Sequence, residues 1–439
     1  MIRHNFKQAW ELIKQNKLFT SIYIIGTGMA IATTMIMAIV YYVKIAPIYP
    51  EENRSHISYL SEVSFVSKDK GANQWNFSHI AVKEWFYQMK NVEAVSASYY
   101  PSFSLLPDNY VQPMDKSGDF SVSTKMTDPA FFRIYNFRFI EGKPFSDNDM
   151  ASGMRSVVIT DDLARRLYGT VKGIIGQNFS MDYLNYRITG VVEGGSLITK
   201  RSFAQVYMPY TSVQGFDQLP MSSIPYYGKF QLTFLTKSAE QEKAMREEVN
   251  EFIRKYNTSQ SDWEANIMNQ PITHMESEFQ QFSTDTVFDW WAMFRQYFII
   301  FLVLLLVPAL NLSGMIASRM DARLSEMGIR KSFGANKGGL LRQVISENLL
   351  LTLLGGILGM IIAWTLLYVF RDWVFSIFEK HGNIIPDGLT VNVSGEMLVA
   401  PLVFLFAMLV CMLLNLLSAL IPAWYSLKNP IVKSLNEKR

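Results

Sequence analysis

Residues 18–43 read LFTSIYIIGTGMAIATTMIMAIVYYV, a stretch without a single Asp, Glu, Lys or Arg. An α-helix rising about 1.5 Å per residue needs roughly 20 apolar residues to cross about 30 Å of hydrocarbon, so this stretch is long enough to span a bilayer. Three further runs, Tyr297–Ile316, Leu349–Phe370 and Met397–Ile421, pass the same test and also lack ionisable side chains. Core helices of soluble proteins are usually shorter and keep a polar face, which argues against that alternative. The first run could also be read as a cleaved signal peptide. Its length, and the lack of an A-x-A site before Tyr41-Tyr42-Val43-Lys44, favour a retained anchor.

Between the first two runs lies a long mixed segment, which explains why a chain of 439 residues with 49% hydrophobic side chains has a mean hydropathy of only +0.09. The expected fold class is an α-helical membrane protein with four transmembrane helices plus a large mixed α+β extracytoplasmic domain inserted between the first and second. A net charge of +3 is too small to suggest nucleic-acid binding, and with no Lys/Arg block to track a phosphate backbone no nucleic-acid partner is expected. Cys411 is the only cysteine, so neither a disulfide framework nor a Cys-based zinc site is available within the chain.

Lys and Arg accumulate on the cytoplasmic side of membrane helices. Arg3, Lys7, Lys14 and Lys17 precede the first run; Arg319, Arg323, Arg330, Lys331, Lys337 and Arg342 separate the second from the third; Lys428, Lys433, Lys438 and Arg439 follow the fourth. The predicted organisation is therefore a cytoplasmic amphipathic helix (1–17), a first span (18–43), an extracytoplasmic domain (44–296), a second span (297–316), a cytoplasmic loop (317–348), a third span (349–370), an outer loop (371–396), a fourth span (397–421) and a cytoplasmic tail (422–439). Within the spans, Gly355 and Gly359 form a G-x-x-x-G pair and Gly26 with Ala30 a small-xxx-small pair, so these four are the predicted sites of close helix packing. Asn311 and Asn415 are candidates for interhelical hydrogen bonds, and Pro308 for a kink.

In the outer segment, Ser156–Ile159, Tyr186–Val192 and Lys229–Leu235 read as strands. Ile80–Met89, Asp161–Tyr168 and Ala239–Tyr256 read as helices, the second opening at Thr160 and closing at Gly169. The paired Asp161 and Asp162 are the most enzyme-like feature, but carboxylates in a first helical turn are ordinarily cap and dipole partners. No H-E-x-x-H, G-x-S-x-G or G-x-x-x-x-G-K-[ST] is present, and His274-Met-Glu-Ser-Glu lacks a second histidine. The chain is therefore expected to have no catalytic residues, no metal site and no bound cofactor.

The loop Arg319-Met-Asp-Ala-Arg-Leu-Ser-Glu326-Met-Gly328-Ile-Arg330-Lys331-Ser-Phe-Gly334-Ala335-Asn336 resembles the cytoplasmic signature of the FtsX-like and MacB-type ABC permeases, which include lipoprotein-release and antibiotic or peptide exporters. Leu420-Ile-Pro-Ala-Trp424 resembles that family's exit from the last span. More loosely, Thr127-Asp-Pro-Ala-Phe-Phe132, Glu141-Gly-Lys-Pro-Phe145 and Val157–Gly169 look like its periplasmic core domain.

The resemblance implies a permease subunit of the mechanotransmission type in the inner membrane. It would couple ATP hydrolysis in a separate ABC ATPase dimer, which holds the ATP and Mg, to outer-domain movements that export or extract a peptide, antibiotic or lipoprotein. It also implies that Glu326, Gly328, Arg330, Lys331, Gly334 and Ala335 form the element coupled to the ATPase. Further partners would be a second permease copy or paralogue, membrane lipid and an extracytoplasmic protein. The alternative reading is a membrane-anchored sensor acting on an outer partner without transport.

Overall fold

A computed structural model describes residues 17–67, 71–100, 109–113, 118–221, 223–259, 262–279, 287–304, 306, 329, 332–334, 336–378 and 401–428. The chain divides into two compact units. A helical unit comprises Met1–Tyr42, Asp289–Phe375 and Val393–Arg439, and a sheet unit comprises Val43–Phe288 and Ser376–Asn392.

In the helical unit, Thr20–Ile45 and Gly338–Val369 are long and apolar enough to cross a membrane. Two shorter apolar stretches, Trp290–Leu304 and Phe404–Leu417, accompany them among the described residues. Helix ends differ from the apolar runs. The helix containing the third run starts at Lys337, twelve residues ahead of Leu349, because Asn336 caps it there: its side chain accepts from Gly339 N at 2.6 Å. The helix of the second run starts ahead of Tyr297, where Asp289 Oδ1 accepts from the amides of Trp291 and Ala292. The last helix, Pro401–Lys428, continues past Pro422, where the sequence suggested an exit.

Among the described residues of the sheet unit, sixteen strands hydrogen-bond into one network, running from an edge at Glu264–Asn266 to one at Phe120–Val122. Phe230–Leu235 lies between Ile57–Leu60 and Ala94–Tyr99, antiparallel to both. Leu184–Val192 runs parallel to Ser156–Thr160, and Val206–Pro209 parallel to Thr124–Thr127. The strand expectations fall within one or two residues of these bounds. The helix Ala239–Ser259 buries Met245, Val249, Ile253 and Tyr256, a stripe at i, i+4, i+8 and i+11 that packs into one core with Phe65, Phe77, Phe86, Phe230 and Phe234. A second core, with Val157, Ile159, Ile188 and Val191, takes Leu163 and Ala164 from helix Asp161–Tyr168. The helix expected over 80–89 breaks at Trp85 into His79–Glu84 and a 3-10 turn, Phe86–Gln88.

Candidate functional site

The first-span helix Lys17–Ile45 is apolar all round, so its sequence alone does not say which side meets protein. Tyr23, Thr27, Ile31, Thr34 and Met35 are buried, while Ile22, Ile25 and Met29 face outward. Gly26 is on the outward side and a Cβ there would meet nothing within 4 Å; Ala30 is half-buried. The glycine in close contact is Gly28. A Cβ added to Gly359 would sit 2.6 Å from Gly28 O, and one added to Gly355 would sit 2.9 Å from Thr27 Cβ. Gly356 is closed off by Met408 Sδ of the last helix. Gly355 and Gly359 thus lie in a backbone contact. Their counterpart is displaced from Gly26 by two residues, about 200° around a helix of 3.6 residues per turn. The segment offers both Gly26/Ala30 and Gly28/Ala32 at the same spacing, so the motif could not choose between them. Asn415 Nδ2 donates to Thr352 Oγ1 at 3.4 Å across helices, and Tyr41 packs edge-on against Tyr297 at 4.8 Å. Asn311 and Pro308 lie outside the described residues.

Of the predicted coupling residues, Gly334 is described; Glu326, Gly328, Arg330, Lys331 and Ala335 lie outside the described residues. Gly334 has φ +88°, a left-handed conformation that favours glycine, and two residues later Asn336 starts the long helix. Just before it, Phe333 N donates to Ile329 O at 3.1 Å, one helical turn. That turn displays Ile329, 49% exposed, and Phe333, 87% exposed. Reading the loop by its charges overlooked this apolar pair, although the i, i+4 spacing of Ile329 and Phe333 was a signal.

A third arrangement sits at the root of the sheet unit. Arg54 Nε donates to Glu51 Oε2 at 2.8 Å, and Arg54 Nη1 donates to the carbonyls of Val43 at 2.7 Å, Lys44 at 3.2 Å and Ala46 at 2.8 Å. These carbonyls belong to the last turn of helix Lys17–Ile45 and the residue after it, where a helix leaves its carbonyls without partners and favours a cation. Glu51, fully buried, accepts from Ser202 N at 3.0 Å and Ser202 Oγ at 2.8 Å. Burial pushes the Glu51 carboxyl up, but Arg54, His274 and the Ser202 bond outweigh it and hold it below the usual range.

His274 contacts Lys44 O through Nε2 at 2.9 Å and Tyr59 OH through Nδ1 at 3.1 Å. A carbonyl only accepts, so Nε2 carries the proton and Nδ1 of the neutral ring accepts from Tyr59. Burial first, then the Arg54 and Arg201 charges, lower the His274 pKa from 6.5 to about 4 against the opposing pull of Glu51. Arg201 stacks over the Tyr59 ring at 4.4 Å and donates to Ser277 Oγ at 2.6 Å. His274 is therefore a structural imidazole rather than a metal ligand.

Asp161 accepts from Gly194 N at 2.8 Å and pairs with Arg165 at 2.6 Å, while Thr160 and Gly169 cap the helix, so the acidic pair holds local structure. Among the described residues no group of three His, Cys, Asp or Glu side chains could hold a metal.

Long apolar helices that meet at bare backbone and a large mixed sheet unit are the two parts that known protein families can be compared with. A family model for the MacB-like periplasmic core domain matches residues 22–252, and one for the FtsX-like permease C-terminal matches residues 298–431. The chain belongs to this FtsX/MacB-type ABC permease family. It is 24% identical over 238 residues to a pyoverdine export ATP-binding/permease protein, PvdT, of Pseudomonas savastanoi, covering 54% of this chain and 34% of that protein. It is 22% identical over 262 residues to the macrolide export ATP-binding/permease protein MacB of Escherichia coli O157:H7, covering 58% of this chain and 37% of that protein. The match thus spans little more than a third of these relatives. Among solved structures, the periplasmic region of MacB from Actinobacillus actinomycetemcomitans aligns with 51% of this chain and 94% of its own length, at 8% identity and a TM-score of 0.34.

Proposed function

We propose that the chain is the membrane subunit of an ABC exporter that works by mechanotransmission. It would have four spans, both termini in the cytoplasm and residues 44–296 outside. ATP and Mg are held by a separate ATPase dimer, and two permease chains face it. The observation that carries this reading is the exposed Ile329–Phe333 turn ending at left-handed Gly334, a compact apolar knob between the second and third apolar runs. A solvated connector would have no use for such a knob, whereas a docking element would. In the sequence, Glu326, Arg330 and Lys331 lie beside this pair and are proposed to add charged contacts. The relatives are named for export of pyoverdine and macrolides, which supports outward transport of a comparable small molecule or peptide.

Copurification of the full chain from its native membrane, with ATPase recovery as the readout, tests this. Phe333→Asp removes an apolar contact worth about 1.5–3 kcal/mol, so it is expected to weaken ATPase capture by about tenfold or more with membrane insertion unchanged. Full recovery of the ATPase by Phe333→Asp would move the docking site elsewhere.

A further inference from the structure

We propose that Arg54, with Glu51 and His274, is the force-bearing link through which displacement of the first span enters the outer domain. This inference rests on the mechanotransmission reading. Three observations carry it. First, Arg54 Nη1 gathers three consecutive-region carbonyls, those of Val43, Lys44 and Ala46, at the end of the first-span helix. A guanidinium donating to several backbone acceptors resists both pulling and twisting of that turn, because its donors are fixed in one plane. Second, the load does not stop at Arg54. Glu51 joins it to the backbone and hydroxyl of Ser202, and Thr199–Ser202–Ala204 leads directly into strand Val206–Pro209.

Third, the segment that follows the sheet is tied to the same helix end. His274 holds Lys44 O, and the strand Ile272–Thr273 that precedes it pairs with Ile57–Leu60. The chain leaving the first span and the chain approaching residue 287 therefore share one buried polar knot. Glu51 accepts from Arg54 and from Ser202 twice, and His274 uses both ring nitrogens. A knot built only for stability would be replaceable by apolar residues of similar volume. A knot built to carry displacement would not be, since apolar packing is non-directional and slides. Arg54 and Glu51 are thus positioning residues.

The test uses the full chain in nanodiscs with its copurified ATPase, read by hydrogen exchange with and without ATP and vanadate. Two variants are compared with the natural chain. Arg54→Lys keeps the charge beside Glu51 but cannot reach the carboxylate and three carbonyls together. The double variant Glu51→Leu, Arg54→Met keeps the core filled without the pair. Both are expected to bind the ATPase and hydrolyse ATP at the natural rate. The nucleotide-dependent change in exchange should persist in the Lys337–Val369 helix and vanish in the sheet unit. Retention of the sheet-unit response in both variants would overturn the proposal. If the natural chain itself shows no nucleotide response, the mechanotransmission reading fails, and the link is then decided without nucleotide. It predicts that exchange at Ser202 and over residues 43–56 of Arg54→Lys rises by about tenfold or more, the loss of one charge-assisted hydrogen bond, with the rest of the sheet unchanged. Unaltered exchange there would overturn the link as well.

Discussion

The helical unit and the sheet unit solve the problem of a fixed contact in opposite ways. Where helix Lys17–Ile45 meets helix Lys337–Val369, side chains are removed: Gly28, Gly355 and Gly359 let backbone lie on backbone, with a Cβ on Gly359 coming within 2.6 Å of Gly28 O. At the root of the sheet unit, side chains are added: a buried carboxylate, guanidinium and imidazole fill the space with directed hydrogen bonds. The difference follows from the surroundings. Lipid tails are as apolar as Leu, so helix association there relies on close packing. A water-soluble domain can bury charges only if they are paired and fully bonded.

The largest expected effect tests the directed root. A group that the folded state keeps neutral below its ordinary pKa makes the unfolded state bind more protons, so stability falls as pH falls through that window. For His274 the window runs from 6.5 down to about 4, and the fold loses on the order of 3 kcal/mol across it relative to neutral pH. Glu51, held low, adds a further loss at more acid pH, in the same direction. Unfolding of the sheet unit by denaturant should therefore ease steadily from pH 6.5 to pH 4, and His274→Gln should flatten that slope. An identical slope in the variant would remove His274 from the account.

A smaller effect separates the two glycine faces of the first span's neighbourhood. Gly359→Val inserts bulk into a closed backbone contact and should destabilise the helical unit by about 1–3 kcal/mol. Gly26→Val, on an open side, should lie within about 0.5 kcal/mol of the natural chain. Thermal stability in detergent reports both, and equal losses would mean the contact face is wrong. The smallest effect is Asn336→Ala, which removes a helix cap worth about 1 kcal/mol and should raise exchange only in the first turn of the Lys337 helix.

How much of this was legible in the sequence depended on how locally each signal is encoded. Thr160, Asp161 and Gly169 announce a capped helix within ten residues, and the helix Asp161–Tyr168 lies where the sequence placed it. The apolar runs within helices Lys17–Ile45 and Lys337–Val369 were equally plain, and so were the strands around Val157 and Val191. The face of the first span was not, because an all-apolar helix with two equivalent small-residue pairs carries no directional signal. The root was invisible for a different reason. Ser202 and His274 lie 151 and 223 positions from Glu51 in the chain, and nothing local distinguishes a buried Glu51–Arg54 pair from a surface one. His274 was weighed as an incomplete metal ligand, when its partners are a carbonyl and a phenol.

The early start of the Lys337–Val369 helix also has a geometric consequence. Because Asn336 sets its beginning and Gly359 sits in the close contact with Gly28, a single helix extends from that contact to Asn336. At about 1.5 Å per residue the arm from Gly359 to Asn336 is about 35 Å long, so each degree of tilt about the glycine contact sweeps its tip by about 0.6 Å. In the proposed mechanism the glycine contact would act as a fulcrum, and the helix as a lever whose long arm turns small rotations into side-chain-sized travel at its tip.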